Sequence, residues 1–223
     1  MRIITFLIFA LVGPTVGASS VTSEAPVALI FDSATPLPGE VATALHQEVE
    51  SIFRETGYSF HWVNRSEMKA GDSFPDLIVI RIKSTCGEID VRPPAVSKRH
   101  AALAWAHVSE GDMLPFIEID CARLGRMLRA AGFGDSALSQ RQVMGKALGR
   151  VLAHELYHVL TGNTQHAHSG VAQPALSPAH LTTSTLTFTA RELSLLTRRS
   201  YAARQTQQSA PTLSEEPVFE SGR

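Results

Sequence analysis

Three neighbouring residues have the types and spacing for hydrolytic metal chemistry: His154, Glu155 and His158, in the run His154-Glu155-Leu156-Tyr157-His158. On a helix, a four-residue step places two side chains on one face, one turn apart. Two imidazoles so placed reach a single tetrahedral ion with bonds of about 2.0–2.1 Å. Glu155 follows the first histidine, so its carboxylate stands beside such an ion and can take a proton from water there. The competing reading is a helix that merely presents two surface histidines. A catalytic zinc needs a third protein ligand and one open position. Gly162 ends the helix and turns the chain, and His166 then arrives eight residues after His158. His166 is the favoured third ligand. His168 is its main competitor, His180 lies later in the same loop, and Glu192 on the following helix is a different solution.

The elements that must position these groups follow from hydrophobic periodicity. Continuous apolar character from Pro26 to Phe31 reads as a buried strand. Glu40 to Thr56 has helical spacing, with Val41, Leu45, Val49, Ile52 and Phe53 on one face, and Gly57 stops it. Tyr58, Phe60 and Trp62 alternate as a half-buried strand, and Leu77 to Ile82 is another. Gly87 to His100 is polar and proline-bearing, hence a long loop. Leu103–Val108 and Phe116–Ile119 read as short strands split by Glu110-Gly111-Asp112, and Ala122–Ala131 as a short helix. Ser139 with Gln142 reads as a capping box opening the motif helix, which carries Val143, Ala147, Leu148, Val151 and Leu152 as an apolar stripe. Residues 163–185 are expected to be loop. Thr189 with Glu192 is a second capping box, opening a last helix to about Ala203. This order describes a single α+β or α/β domain, spanning 26–204, with its site late in the chain and a disordered tail at 205–223.

The 223 residues suit one domain, and 44% hydrophobic with 18% charged residues supports a packed core. A net charge of −1 without a basic stripe argues against nucleic acid as a partner. Met1-Arg2, the apolar run Ile3–Val12 and Val16-Gly17-Ala18 have the three-part form of a signal peptide, with cleavage expected after Ala18. The mature chain is then expected to be secreted or periplasmic, with no membrane span. Two cysteines in an exported chain, Cys86 and Cys121, read as one disulfide. His46, His61, His100 and His107 read as surface or core histidines, and Trp62 and Trp105 as core aromatics.

The run from His154 through Gly162 to His166 resembles the metzincin zinc signature HExxHxxGxxH, with one more residue on each side of the glycine. It is closer to a group of bacterial exported proteins with HExxH-xxx-G-xxx-H. The resemblance extends back to Leu114–Cys121 and forward through the last helix. Gly170-Val171-Ala172 stands where that group has Gly-Ile-Met, so Ala172 replaces the methionine that floors the site in metzincins. The resemblance implies an α+β, zincin-like single domain, a mixed sheet with an active-site helix and a C-terminal helix. It also implies Zn2+ held by His154, His158 and His166, Glu155 as general base, and a peptide or protein substrate. The alternatives are a non-catalytic exported zinc-binding interaction domain and an exported interaction protein without metal.

Overall fold

The apolar run that begins at Val27 becomes an interior strand, paired on both sides, which is why it carries no polar alternation. The computed structural model describes residues 26–86, 102–132, 136–182 and 185–209. The expected signal peptide, the long loop Gly87–His100 and the tail from 210 lie outside them. The strands are β1 (Val27–Ser33), β2 (Phe60–Asn64), β3 (Leu77–Lys83), β4 (Ala104–Ser109) and β5 (Asp112–Asp120). They form one five-stranded mixed sheet in the order β2-β1-β3-β5-β4. β1 runs parallel to β2 and β3, and β3 parallel to β5, while β4 pairs antiparallel with β5 as an edge strand. Glu110 and Gly111 both have positive φ, 53° and 94°, and join β4 to β5 as a tight hairpin turn. That turn brings Asp112 and Met113 opposite Ser109 and Val108. β5 therefore starts four residues earlier than its apolar run Phe116–Ile119 suggests.

The helices are α1 (Gly39–Phe53), α2 (Cys121–Ala130), α3 (Ala137–Thr161), α4 (Pro178–Thr182) and α5 (Ala190–Ser209). The stripe of α1 and the buried residues Leu148, Leu152 and Leu156 of α3 share one core with Leu29, Ile80, Ile117 and Ile119 of the sheet. The molecule is thus an α+β domain with a mixed sheet, a long helix carrying His154 and His158, and a C-terminal helix, as the sequence leads one to expect. Trp105 departs from expectation: it is half-buried, with the Lys83 ammonium 4.3 Å from its ring centre.

Three local expectations are corrected. The motif helix opens at Ser136, whose Oγ accepts the Ser139 N–H at 3.2 Å, and not at a Ser139–Gln142 box. An earlier serine met the same need for an acceptor, and Ala137 and Leu138 are strong helix formers. α4 interrupts the stretch expected to be loop. Ser177 Oγ accepts the His180 N–H at 3.2 Å and Pro178 opens the helix, where its missing N–H costs nothing. α5 runs to Ser209, because Arg204-Gln205-Thr206-Gln207-Gln208 contains no breaker.

Long-range ties fix α3 in place. Arg150, almost fully buried, donates from Nε to Glu48 Oε1 at 2.6 Å and from Nη1 to His180 O, joining α1, α3 and α4. Cys86 and Cys121 follow the parallel neighbours β3 and β5, so they emerge side by side, with Cα atoms 5.2 Å apart, and are disulfide-bonded. Closing that loop contributes roughly 3–4 kcal/mol in the chain-entropy account. Gly145 and Gly149 let α3 approach α1 closely. A Cβ on Gly145 would stand 2.4 Å from Val41 O and 2.7 Å from Ala44 Cβ, whereas one on Gly125 meets only the flexible end of Met144, at 3.1 Å. Gly145→Ala is therefore expected to cost about 2 kcal/mol or more as the helices are forced apart, read as a fall of several degrees in Tm. Gly125→Ala should leave the melt nearly unchanged, and equal melts for the two variants would contradict this packing account.

Candidate metal centre

α3 delivers His154, Glu155 and His158 to a cleft of about 670 Å³ between β4, α2, α3 and the segment Gln173–Leu176. The apolar residues of α3 face the sheet and α1, so the helix cannot rotate without exposing its core face. That locks the two imidazoles and the carboxylate toward the cleft. Gly162 caps the helix at φ 62°, a left-handed conformation that glycine adopts without cost. The chain then doubles back and brings in His166. Candidate ligand nitrogens of His154, His158 and His166 all lie within 4.8 Å of one another. The ring centres of His154 and His158 are 4.7 Å apart, and that of His166 is 5.2 and 4.8 Å from them.

The other sequence candidates are not in this cluster. His168 is exposed on the loop beyond it. His180 uses Nδ1 to accept the Ser177 N–H at 3.3 Å. Both oxygens of Glu192 are occupied by backbone donors: Oε1 accepts from Ala172 N at 2.9 Å and Oε2 from Thr189 N.

The hydrogen bonds of the rings define which nitrogens are free. His154 Nδ1 donates to Val171 O at 2.8 Å, and His158 Nδ1 donates to Asn163 O at 2.6 Å. With Nδ1–H committed in both, each neutral ring turns an Nε2 lone pair inward, and the two Nε2 atoms are 3.2 Å apart. Two lone pairs at that distance repel unless a cation lies between them. The edge of a tetrahedron with metal–nitrogen bonds of about 2.0–2.1 Å is about 3.3 Å, so the donor set fits zinc. Backbone carbonyls that hold the far nitrogen are the usual means of orienting a ligating imidazole. Asn163 is held in turn: its Oδ1 accepts the Gln165 N–H at 2.9 Å, and its Nδ2 donates to the hydroxyl of buried Tyr157 at 3.4 Å. Sequence reasoning cannot find these orienting groups, since a carbonyl leaves no mark in residue type. The one legible hint is glycine at the two turns, Gly162 and Gly170, both with positive φ.

Glu155 is 7% exposed, and its Oε2 accepts the N–H of Ala106 on the edge strand at 2.8 Å. Burial raises its carboxyl to about 7, opposed by that bond. Burial lowers His154 to about 4, against the Val171 bond and helped by the neighbouring imidazoles. It also lowers His158. Both shifts favour the neutral ring that metal ligation requires.

The raised Glu155 carboxyl has a consequence for the metal-free protein. A group whose folded value exceeds its unfolded value gives stability that is present in acid and lost as pH rises toward the folded value. Between pH 4.5 and about 7 the loss amounts to about 3 kcal/mol. Metal-free Glu155→Gln does not titrate there. It should be more stable than metal-free wild type above pH 7, and the gap should close as pH falls toward 4.5. Denaturant titration at pH 8 and pH 5 measures this, and a gap independent of pH would contradict a buried, uncompensated carboxylate.

No helix among the described residues is long and apolar enough to cross a membrane. No protein-family model and no curated protein sequence matches the chain. Among solved structures, archaemetzincin of Methanopyrus kandleri is similar at 12% sequence identity and a TM-score of 0.49, over 80% of this chain and 98% of that one.

Proposed function

We propose that this chain is an exported zinc-dependent peptidase, with His154, His158 and His166 as zinc ligands and Glu155 as general base. The observation that carries the reading is the pair of inward-facing Nε2 atoms 3.2 Å apart, with His166 beside them and a buried carboxylate on the same cleft. A site that only held structural zinc would have no use for Glu155. The chemistry that zinc supplies when bound is Lewis acidity toward water and a carbonyl. Every other part falls to the chain. Glu155, held by the Ala106 N–H, takes the proton of the attacking water and returns it to the leaving amine. It lines the same cleft as the inward-facing rings, where one carboxylate can serve both transfers. β4 is the sheet edge, and Ala104, Trp105, Ala106 and Val108 line the cleft, so an extended peptide can lie along it by strand addition. Leu103, Met127, Val151 and Leu176 line the same cleft and favour an apolar substrate side chain. Export is supported by the form of residues 1–18 and by the disulfide, which persists in oxidising compartments.

The test is elemental analysis of the purified mature chain, followed by a peptide-library digest. One zinc per chain, and cleavage that a chelator abolishes and added zinc restores, is the expected result. No zinc after refolding with excess metal would overturn the reading. Zinc without any cleavage would leave a zinc-binding interaction domain in its place.

A further inference from the structure

The dipeptide Val171-Ala172 touches the histidine cluster from two directions. Val171 O accepts the His154 Nδ1–H at 2.8 Å, and Ala172 O accepts the N–H of Ala167, next to His166, at 2.8 Å. Two of the three histidines therefore depend on where this dipeptide sits. Both residues are fully buried, and Ala172 is too small to wedge itself in place through side-chain packing. Two backbone N–H bonds fix its orientation within the core. Val171 N donates to Thr187 O at 3.2 Å, and Ala172 N donates to Glu192 Oε1 at 2.9 Å. Glu192 is 2% exposed and lies in the first turn of α5, where Oε2 accepts the Thr189 N–H and its own N–H donates to Thr189 Oγ1 at 3.3 Å. One carboxylate thus closes the helix cap and grips the turn behind the cluster. The fit is tight: a Cβ on Gly170, φ 80°, would stand 3.0 Å from Glu192 Oε2.

We infer that Glu192 is a positioning residue for the metal centre. Through Ala172 N it fixes the Val171 carbonyl that orients His154 and the Ala172 carbonyl that anchors the strand of chain carrying His166. The inference rests on the three-histidine reading. A carboxylate with two acceptor oxygens matches the two inward N–H donors. In Glu192→Gln one of them faces an amide NH2 instead, and in Glu192→Ala both lose their partner. Loss of an outer partner of a metal ligand typically lowers affinity by about 10–100-fold. The capping role alone predicts something different: it is shared by Thr189, whose hydroxyl touches α5 and not the turn.

The experiment compares wild type, Glu192→Gln, Glu192→Ala and Thr189→Val. Zinc affinity is measured by competition with a chromophoric chelator, and ligand geometry by the visible absorption of the Co2+-substituted proteins. Expected are a zinc Kd raised about tenfold or more in Glu192→Gln, and further in Glu192→Ala, with altered Co2+ bands in both. Thr189→Val should lower Tm yet keep Kd within about twofold and the bands unchanged. If the Glu192 variants lose only Tm, with wild-type Kd and bands, the carboxylate is a helix cap and the inference is overturned. Should Glu192→Ala fail to fold, the isosteric Gln variant carries the same comparison. Wild type that binds no zinc fails before any variant is compared, and that outcome overturns the ligand reading beneath the inference.

Discussion

Glu155→Gln is expected to keep one zinc per chain and lose peptide hydrolysis by about 10²–10⁴-fold in kcat, the usual worth of a positioned general base. The substitution is isosteric, and the amide oxygen can still accept the Ala106 N–H that Oε2 now holds at 2.8 Å. The edge strand and α3 should stay in register. Only the capacity to take a proton goes. The pH profile gives a second, independent readout. Burial raises the wild-type carboxyl to about 7, and a bound cation would pull it lower. Wild-type kcat/KM should therefore fall with acid on a limb at or below pH 7, as the base becomes protonated. The residual activity of the Gln variant should lack that limb. Hydrolysis within tenfold of wild type, with the limb intact, would remove Glu155 from the mechanism even if zinc is bound.

The second large effect belongs to the third ligand. His166→Ala is expected to weaken zinc binding by about two to three orders of magnitude, since an apparent binding free energy of roughly 10–16 kcal/mol is shared among four ligand positions. His166 is exposed, so its removal opens no core cavity and the fold should survive. His158→Ala should weaken zinc comparably, but this ring is buried and holds Asn163 O at 2.6 Å, so its melt should also fall. His168→Ala should bind as wild type does. Equilibrium competition against a chelator separates these cases. Loss of zinc in His168→Ala with retention in His166→Ala would mean that the loop after Gly162 closes differently from the geometry described here.

Much of the architecture was legible because it is written in local periodicity. Val41, Leu45, Val49, Ile52 and Phe53 recur at helical spacing, and all are buried in α1. Ile78, Ile80 and Ile82 alternate with exposed or half-buried neighbours, and all three are buried in β3. Where local signals compete, periodicity does not choose between them. Ser136 and Ser139 are both plausible caps, and only the neighbouring structure selects one. The short helix at Pro178 was hidden within a stretch rich in Ser, Pro and His, whose composition speaks for loop although Ser177-Pro178 is a helix-start signal. The apolar run Phe116–Ile119 marks only the second half of β5, because Asp112 and Met113 are not strand-like by themselves. They are recruited by pairing across a turn.

The site divides along the same line. By itself the sequence determined that His154 and His158 share a helix face, that Glu155 accompanies them and that the chain turns at Gly162. Each of these follows from steps of at most a few residues along one helix, where backbone geometry is nearly rigid. Only the tertiary structure decided that His166, and not His168 or Glu192, joins the cluster. It alone decided that Val171 O and Asn163 O hold the far nitrogens of the rings. These depend on where a loop lands after a turn and which way a carbonyl points. Both are set by contacts with α3, α5 and the segment before α5, and no spacing along the chain encodes them.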